Sequence, residues 1–338
     1  MQMNQNGLEM RGEAIVVTGA SAGVGRATAL AFAARGAHVG LLARDAQGLE
    51  ETRREIEARG GVAFAVPTDM ADAQAVSAAA ESCERELGPI SVWVNNAMAT
   101  VFSKVDDLSA EEIRRVTEVT YLGTVHGTLA ALAMMRKHGA GTIIQASSAL
   151  AYRAIPLQAP YCAAKHAIRG FTDALRCELL HERSAIQLCS VILPAVNTPQ
   201  FEWARTHESS RPRPVAPVYQ PEVAARAIVR TAQRPEREVF VGYQTPLLVM
   251  GQALMPGTLD HYLAKNAVQG QTTGEPLPSD RAENLFEPVS GRHAARGRFD
   301  DEAHNDAITL SGRAARALGV AGLLALGALA GATLRTRR

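Results

Sequence analysis

The chain has 338 residues, of which 47% are hydrophobic and 20% are charged, so it is long enough for one large domain with additions or for two domains. Its 35 basic and 34 acidic residues give a net charge of +1, which argues against a nucleic-acid partner. The four cysteines have no CxxC spacing and no compact Cys/His cluster, so we expect a reducing compartment and no metal site. The first ten residues lack the apolar core of a secretory signal, and we therefore expect a cytoplasmic protein.

Short apolar runs alternate with helical patterns from residue 14 to residue 241. The runs lack polar alternation, as strands that are buried on both faces require. Strands that alternate with helices of ten or more residues indicate βαβ units, and right-handed crossovers then give a doubly wound parallel sheet, the Rossmann fold of the α/β class. The predicted strands are 14–18, 38–43, 62–66, 91–95, 142–147, 186–193 and 239–241, and the predicted helices are 27–35, 46–59, 72–87, about 109–137, one around residue 161, and 221–233.

The alternation stops near residue 245, which predicts three parts. Residues 1–245 form a dinucleotide-binding and catalytic domain, residues 246–306 an extension and flexible linker, and residues 307–338 a C-terminal helix rich in Ala, Gly and Leu. Within the extension, 246–265 is apolar and suits a helix, whereas 270–306 is rich in Gly, Pro and charge and suits an extended linker.

The C-terminal part contains a run without charge, residues 317–334, with arginines on both sides. Eighteen residues are near the lower limit for crossing about 30 Å of hydrocarbon. Two interpretations stay open. The run is either an anchor that attaches the protein to the inner face of a membrane, or a soluble Ala-rich helix.

A glycine-rich turn, Thr18-Gly19-Ala20-Ser21-Ala22-Gly23-Val24-Gly25, joins the first predicted strand to its helix. Its pattern is TGxxxGxG rather than GxGxxG. Glycine allows a tight turn and a close approach to a pyrophosphate, which can then bind at the N-terminus of the helix. The turn therefore predicts a dinucleotide site, although many strand-to-helix turns contain glycine for steric reasons alone.

The end of the second strand indicates which dinucleotide binds. An acidic residue there holds a ribose 2′-hydroxyl, and an arginine accommodates a 2′-phosphate. This chain has Arg44 at that position, followed by Asp45. We therefore expect NADP in preference to NAD. The alternative is an exposed arginine that pairs with Asp45.

Tyr161 and Lys165 are four residues apart in a predicted helix, so they lie on one face of it. A cation beside the phenol favours phenolate and lowers a tyrosine pKa from its usual value of about 10. Such a tyrosine can transfer a proton near neutral pH. Taken alone, the pair also fits a tyrosine and a lysine that lie side by side on a solvated helix face.

Together these motifs make residues 10–245 resemble the short-chain dehydrogenase/reductase family. The resemblance rests on TGASAGVG, on Asp69, on Asn95-Asn96-Ala97-Met98, on Ser148 thirteen residues before Tyr161, on YxxxK, and on the segment from Pro194 to Thr198. It implies that Ser148, Tyr161 and Lys165 are catalytic. The cofactor-binding positions that it implies are Gly19, Ser21, Gly23, Val24, Gly25, Arg44, Asp69, Met70, Asn95, Ala97, Tyr161, Lys165, Pro194, Val196 and Thr198.

Three residues depart from the family pattern. Met98 and Ala195 replace glycines near the cofactor, and Thr120 stands where the family usually has an asparagine that helps to relay protons. The resemblance implies a catalytic part for Thr120 as well, because a threonine hydroxyl can hold a water.

The resemblance implies hydride transfer between a nicotinamide and a carbonyl or alcohol carbon, with Tyr161 as general acid and base. The aromatic interval 200–221 resembles the family's substrate lid, so we expect an apolar small-molecule ketone, aldehyde or alcohol. The family's pairing of helices implies a homodimer or homotetramer. Two alternatives are a non-catalytic NADP-binding sensor or scaffold and a sugar-nucleotide epimerase.

Overall fold

The computed structural model describes residues 9–289, 291, 293–319 and 321 of the chain. The strands are β1 (Ala14–Thr18), β2 (His38–Ala43), β3 (Val62–Pro67), β4 (Ile90–Asn95), β5 (Val101–Phe102), β6 (Ala140–Ser148), β7 (Ala185–Leu193), β8 (Ala195–Val196), β9 (Arg205–Thr206), β10 (Ser210–Pro212), β11 (Val218–Tyr219), β12 (Glu238–Val241), β13 (Thr272–Pro276), β14 (Ala303–His304) and β15 (Thr309–Ser311). The helices are α1 (Gly23–Ala33), α2 (Ala46–Ala58), α3 (Ala73–Leu87), α4 (Ala110–Val116), α5 (Gly123–His138), α6 (Ala159–His181), α7 (Gln200–Trp203), α8 (Pro221–Gln233), α9 (Gln244–Leu254) and α10 (Pro256–Asn266).

The central sheet has eight strands in the order β15-β12-β7-β6-β4-β1-β2-β3. All neighbouring pairs are parallel except β12 with β15. The strand order reverses at β1, which lies between β2 and β4. In doubly wound sheets, ligands bind outside the carboxyl ends of the strands at such a reversal. The prediction of a Rossmann-like α/β fold is confirmed.

Helices cover both faces of the sheet, which explains why the strands read as continuous apolar runs. Phe32 of α1, Ile56 of α2 and Ile228 of α8 are buried on one face. Val76 of α3 and Met135 of α5 are buried on the other. The sheet therefore lies between two helical layers, as a parallel sheet requires.

The helix predicted over 109–137 is interrupted. Ser109 and Glu112 form a capping box at its start. A π-helical turn, Thr117–Leu122, separates α4 from α5. Such turns are often found at functional sites, and this one brings Thr120 against the chain that follows β4.

The structure differs most from the sequence-based prediction in the extension after residue 245. Residues 246–265, expected as one helix, belong to α9 and α10, and β13, β14 and β15 pair with β10, β11 and β12. The linker expectation for 270–306 is therefore wrong where these strands form. Two hydrophobic residues of this stretch, Leu285 and Phe299, are buried. The domain boundaries at 245 and 306 stay predictions.

Only the first residues of the uncharged run 317–334 are described, and 312–319 are helical. Most of that run lies outside the described residues, so the anchor stays a prediction. Across residues 9–289, 291, 293–319 and 321, no helix is long and apolar enough to cross a membrane.

Candidate active site

A cavity of about 750 Å³ opens at the carboxyl ends of the central strands, where the strand order reverses. Most of the predicted site residues meet there. Those that line the cavity are Gly19, Ser21, Gly23, Val24, Arg44, Asp69, Met70, Ala97, Ser148, Tyr161, Lys165, Pro194, Val196 and Thr198. Gly25, Asn95 and Thr120 are not among the lining residues.

The glycine-rich turn forms one wall of the cavity and leads into α1. Gly19 and Gly23 have φ values of +68° and +56°, which favour glycine. A Cβ on Gly25 would lie 2.0 Å from the Gly19 carbonyl oxygen, so Gly25 serves close packing of the turn rather than cofactor contact. The Thr18 hydroxyl accepts from the backbone N–H groups of Asn96 and Ala97 at 2.9 and 3.0 Å, which fixes the turn to the end of β4.

This wall fits the phosphates of a dinucleotide. The first N–H groups of a helix have no partners within the helix, and they carry the positive end of its dipole. Val24, in the first turn of α1, lines the cavity. Close packing at Gly25 also lets the backbone approach a pyrophosphate without a side chain between them.

Ser148, Tyr161 and Lys165 form a second cluster of predicted site residues in the cavity. Ser148 ends β6, and the other two lie one turn apart on α6. Lys165 Nζ donates to the Ala146 carbonyl at 2.8 Å and lies 5.5 Å from the centroid of the Tyr161 ring. All three residues line the same cavity.

Burial governs the pKa values of this pair. It lowers the pKa of Lys165 to about 8. It also raises the pKa of Tyr161, and a hydrogen bond from Ser148 only partly opposes that effect. The sequence-based expectation of a lowered Tyr161 pKa is therefore not met in the protein alone. Lys165 is itself pushed towards its neutral form, so it supplies less positive charge to the phenol.

Asn95 was predicted to bind cofactor, but its side chain lies in the protein interior. Its amide donates to Thr128 and Gln145 at 3.0 Å each, and its Oδ1 accepts from Trp93 Nε1 at 2.8 Å. This network joins β4, β6 and α5. The next residue, Asn96, lines the cavity instead.

Thr120 was predicted to be catalytic, but its hydroxyl is already engaged. It accepts from the Ala99 N–H and donates to the Ala99 carbonyl, both at 3.0 Å, and the side chain is fully buried. The geometry gives Thr120 a positioning role, in which it holds the chain after β4 against the π-helical turn.

Arg44 lies at the end of β2, as predicted, but the C-terminal extension encloses it. Its Nη1 donates to the carbonyls of Leu285 and Phe286 at 3.3 and 2.6 Å, and its Nη2 donates to that of Asn284. Burial, and then the nearby charge of Arg115, lower the pKa of Arg44. The alternative of a simple pair with Asp45 does not describe this environment, because Asp45 bonds His293 at 3.1 Å.

Asp69, expected near the adenine, is held in place from two sides. Its Oδ1 accepts from the Ala71 N–H at 2.9 Å, and its Oδ2 accepts from Arg115 Nη2 at 2.6 Å. Burial would raise the pKa of this carboxyl, but these hydrogen bonds keep it below the usual value. Asp69 is therefore a fixed negative charge beside Arg115, a residue that sequence reasoning missed.

Another part of the cavity lining is largely apolar. It includes Phe201 and Val215 of the interval predicted as a lid, with Arg213 beside them in the sequence interval. Helices α9 and α10 add Leu248, Leu259 and Leu263. The apolar run of 246–265 was the available signal for these residues, but the sequence does not show that its side chains face a cavity.

The profile of the short chain dehydrogenase family matches residues 13–209. Among curated proteins, the "Uncharacterized oxidoreductase YxnA" of Bacillus subtilis (strain 168) is 30% identical over 84% of this chain and 81% of its own length. "Dehydrogenase/reductase SDR family member 7B" of Bos taurus is 30% identical over 76% of this chain and 82% of its own length.

Among solved structures, an alcohol dehydrogenase from the archaeon Thermococcus sibiricus, complexed with 5-hydroxy-NADP, superposes with a TM-score of 0.59. The two sequences are 25% identical, and the match covers 68% of this chain and 95% of the other.

Proposed function

Because this chain belongs to the short chain dehydrogenase family, a family of oxidoreductases that bind a nicotinamide cofactor and act on small molecules, we propose that it is an NADP(H)-dependent enzyme that interconverts a carbonyl compound and an alcohol. One observation carries the proposal. Ser148, Tyr161 and Lys165 face the same cavity as the glycine-rich turn at the start of α1.

In this proposal the nicotinamide supplies or accepts the hydride, and the chain moves the proton. The Tyr161 phenol donates its proton to the carbonyl oxygen of the substrate. The Ser148 hydroxyl donates a hydrogen bond to the same oxygen and stabilises its developing charge. A raised Tyr161 pKa keeps the phenol protonated at neutral pH, which suits a proton donor in the reductive direction.

Arg44 supports the preference for NADP over NAD. Its guanidinium is fixed at the carboxyl end of β2, where a 2′-phosphate would lie. The Thermococcus sibiricus relative, which was solved with 5-hydroxy-NADP, adds support from a related protein.

The apolar wall supports a hydrophobic substrate. Leu248, Leu259 and Leu263, which line the cavity, come from helices outside the strand-helix units that carry the glycine-rich turn. Apolar walls favour ligands that lose apolar surface to them, so we propose a bulky, apolar ketone, aldehyde or secondary alcohol.

The test is NADPH and NADH oxidation, measured side by side over a panel of aliphatic, aromatic and polycyclic carbonyl compounds. We expect turnover with NADPH for apolar members of the panel. Tight NADPH binding without turnover of any member would indicate a cofactor-binding sensor or scaffold instead of an enzyme. Absence of binding for both cofactors would refute the proposal.

A further inference from the structure

Two arginines from separate elements converge on one backbone oxygen. Arg44 Nη1 and Arg115 Nε both donate to the Leu285 carbonyl, at 3.3 and 3.2 Å. Arg44 also donates to the carbonyls of Asn284 and Phe286. We name residues 284–289 the cover segment, and its first three residues therefore lie against these guanidinium groups, of which that of Arg44 lines the cavity.

The arrangement places backbone carbonyl oxygens of the cover segment beside the two positively charged guanidinium groups. Arg44 and Arg115 repel each other, whereas the carboxylates of Asp69 and Glu287 attract Arg44. The Nη1 and Nη2 groups of Arg44 carry four hydrogens and donate three hydrogen bonds to backbone carbonyls. The same two groups form the fork with which an arginine binds the oxygens of a phosphate. A phosphate that binds through both groups therefore competes with these carbonyls.

We infer that Arg44 and Arg115 form a phosphomonoester site, and that carbonyl groups of the chain's own cover segment occupy this site in the structure. A nucleotide that carries a 2′-phosphate displaces the carbonyls of 284–286, and a nucleotide without that group leaves them in place. The inference rests on the proposed dinucleotide site and adds to it Arg115, the cover segment and a movement that distinguishes the two cofactors.

The cover segment has anchors that are independent of the arginines. The Leu285 side chain is 1% exposed and packs in a cluster with Ala99, Val116 and Val119. The Asn284 N–H donates to the Trp203 carbonyl at 3.0 Å. The segment can therefore be loosened by a substitution at Leu285 that leaves both guanidinium groups intact.

The first experiment measures the affinity of 2′,5′-ADP and of 5′-AMP by titration calorimetry. If the cover segment competes with the phosphate, Leu285→Ala raises the fraction of open sites and tightens 2′,5′-ADP binding by about threefold or more, with 5′-AMP unchanged. Leu188→Ala, at a buried leucine of β7, is the matched control and should change neither affinity. Arg44→Met and Arg115→Met should each weaken 2′,5′-ADP about tenfold or more and spare 5′-AMP.

Weaker 2′,5′-ADP binding in Leu285→Ala would overturn the inference, because the segment would then be supporting the phosphate. Since that variant could fail to fold, amide hydrogen exchange of the unmutated protein gives a second test. We expect peptides that cover 284–289 to exchange faster with saturating 2′,5′-ADP and unchanged with saturating 5′-AMP. Equal or slower exchange with both bound nucleotides would refute the inference alone, whereas failure of both nucleotides and of NADPH to bind would refute the proposed function with it.

Discussion

The Lys165 ammonium lies 5.5 Å from the centroid of the Tyr161 ring, one turn away on α6. Its own hydrogen bond goes to the Ala146 carbonyl at the end of the sheet, not to the phenol. The lysine therefore affects Tyr161 through space, and the strength of that effect depends on whether the amine is protonated.

Replacing Tyr161 with phenylalanine removes the proposed proton donor and little else. We predict that Tyr161→Phe lowers kcat by about 10²–10⁴-fold, the usual contribution of a positioned acid, while the Kd for NADPH changes by less than about threefold. Steady-state kinetics and a fluorescence titration measure the two quantities.

Tyr152→Phe is the matched control. The Tyr152 hydroxyl donates to Glu238 at 2.7 Å, and the residue does not line the cavity. Its kcat should stay close to that of the unmutated protein. If Tyr161→Phe lost NADPH affinity in proportion to kcat, Tyr161 would have a structural role instead.

The buried lysine also predicts how stability depends on pH. Burial lowers the pKa of Lys165 to about 8 from 10.5. Between those values the unfolded chain holds more protons than the folded one, so raising the pH favours the folded state. We predict that Lys165 adds about 2 kcal/mol to the free energy of unfolding between pH 7 and pH 9.5.

The measurement is urea unfolding at both pH values for the unmutated protein and for Lys165→Met. The change in the free energy of unfolding between the two pH values should be about 2 kcal/mol less positive in the variant than in the unmutated protein. Lys104→Met, at an exposed lysine, should show the same change as the unmutated protein. An equal rise in the unmutated protein and in Lys165→Met would show that another group causes it.

Much of the fold could be predicted because its physical signals are local. Strands such as Ala14–Thr18 are buried along their whole length, and this forces continuous apolar runs. The glycine turn was equally visible, since Gly19 and Gly23 adopt backbone angles that favour glycine. Such requirements appear directly in the residue types.

The sequence is less informative where contacts between distant residues decide the position of a side chain. Asn95 and Asn96 are adjacent amides, and only the packing of Thr128 and Gln145 against one of them shows which is structural. The cover segment is a second case. Its composition suits a linker, and its position depends on Leu285 meeting a cluster more than a hundred residues away in sequence.

Gly25 offers a test of packing in the glycine-rich turn. A Cβ there would lie 2.0 Å from the Gly19 carbonyl oxygen and 2.7 Å from Asn96 Nδ2. We predict that Gly25→Ala lowers the free energy of unfolding by at least about 2 kcal/mol and weakens NADPH binding, because the backbone of the turn must shift.

Gly170→Ala is the opposite case and serves as its control. Gly170 lies inside α6, and a Cβ there would have no atom within 4 Å. Alanine is favoured over glycine in helices, so the free energy of unfolding of this variant should rise by about 1 kcal/mol. Thermal and urea unfolding report both changes. A Gly25→Ala protein of unchanged stability would contradict the packing role.

Thr120 separates a positioning role from a catalytic one. Thr120→Val keeps the shape of the side chain but leaves the Ala99 N–H and carbonyl without their partner, and Ala99 is buried. We predict a loss of about 1–3 kcal/mol in the free energy of unfolding. Below the melting temperature, kcat should fall less than about tenfold, because the hydroxyl does not line the cavity.

Thr117→Val, in the same π-helical turn but partly exposed, should lower the free energy of unfolding by less than about 0.5 kcal/mol. A fully folded Thr120→Val protein that has lost a hundredfold or more in kcat would restore Thr120 to the proton relay.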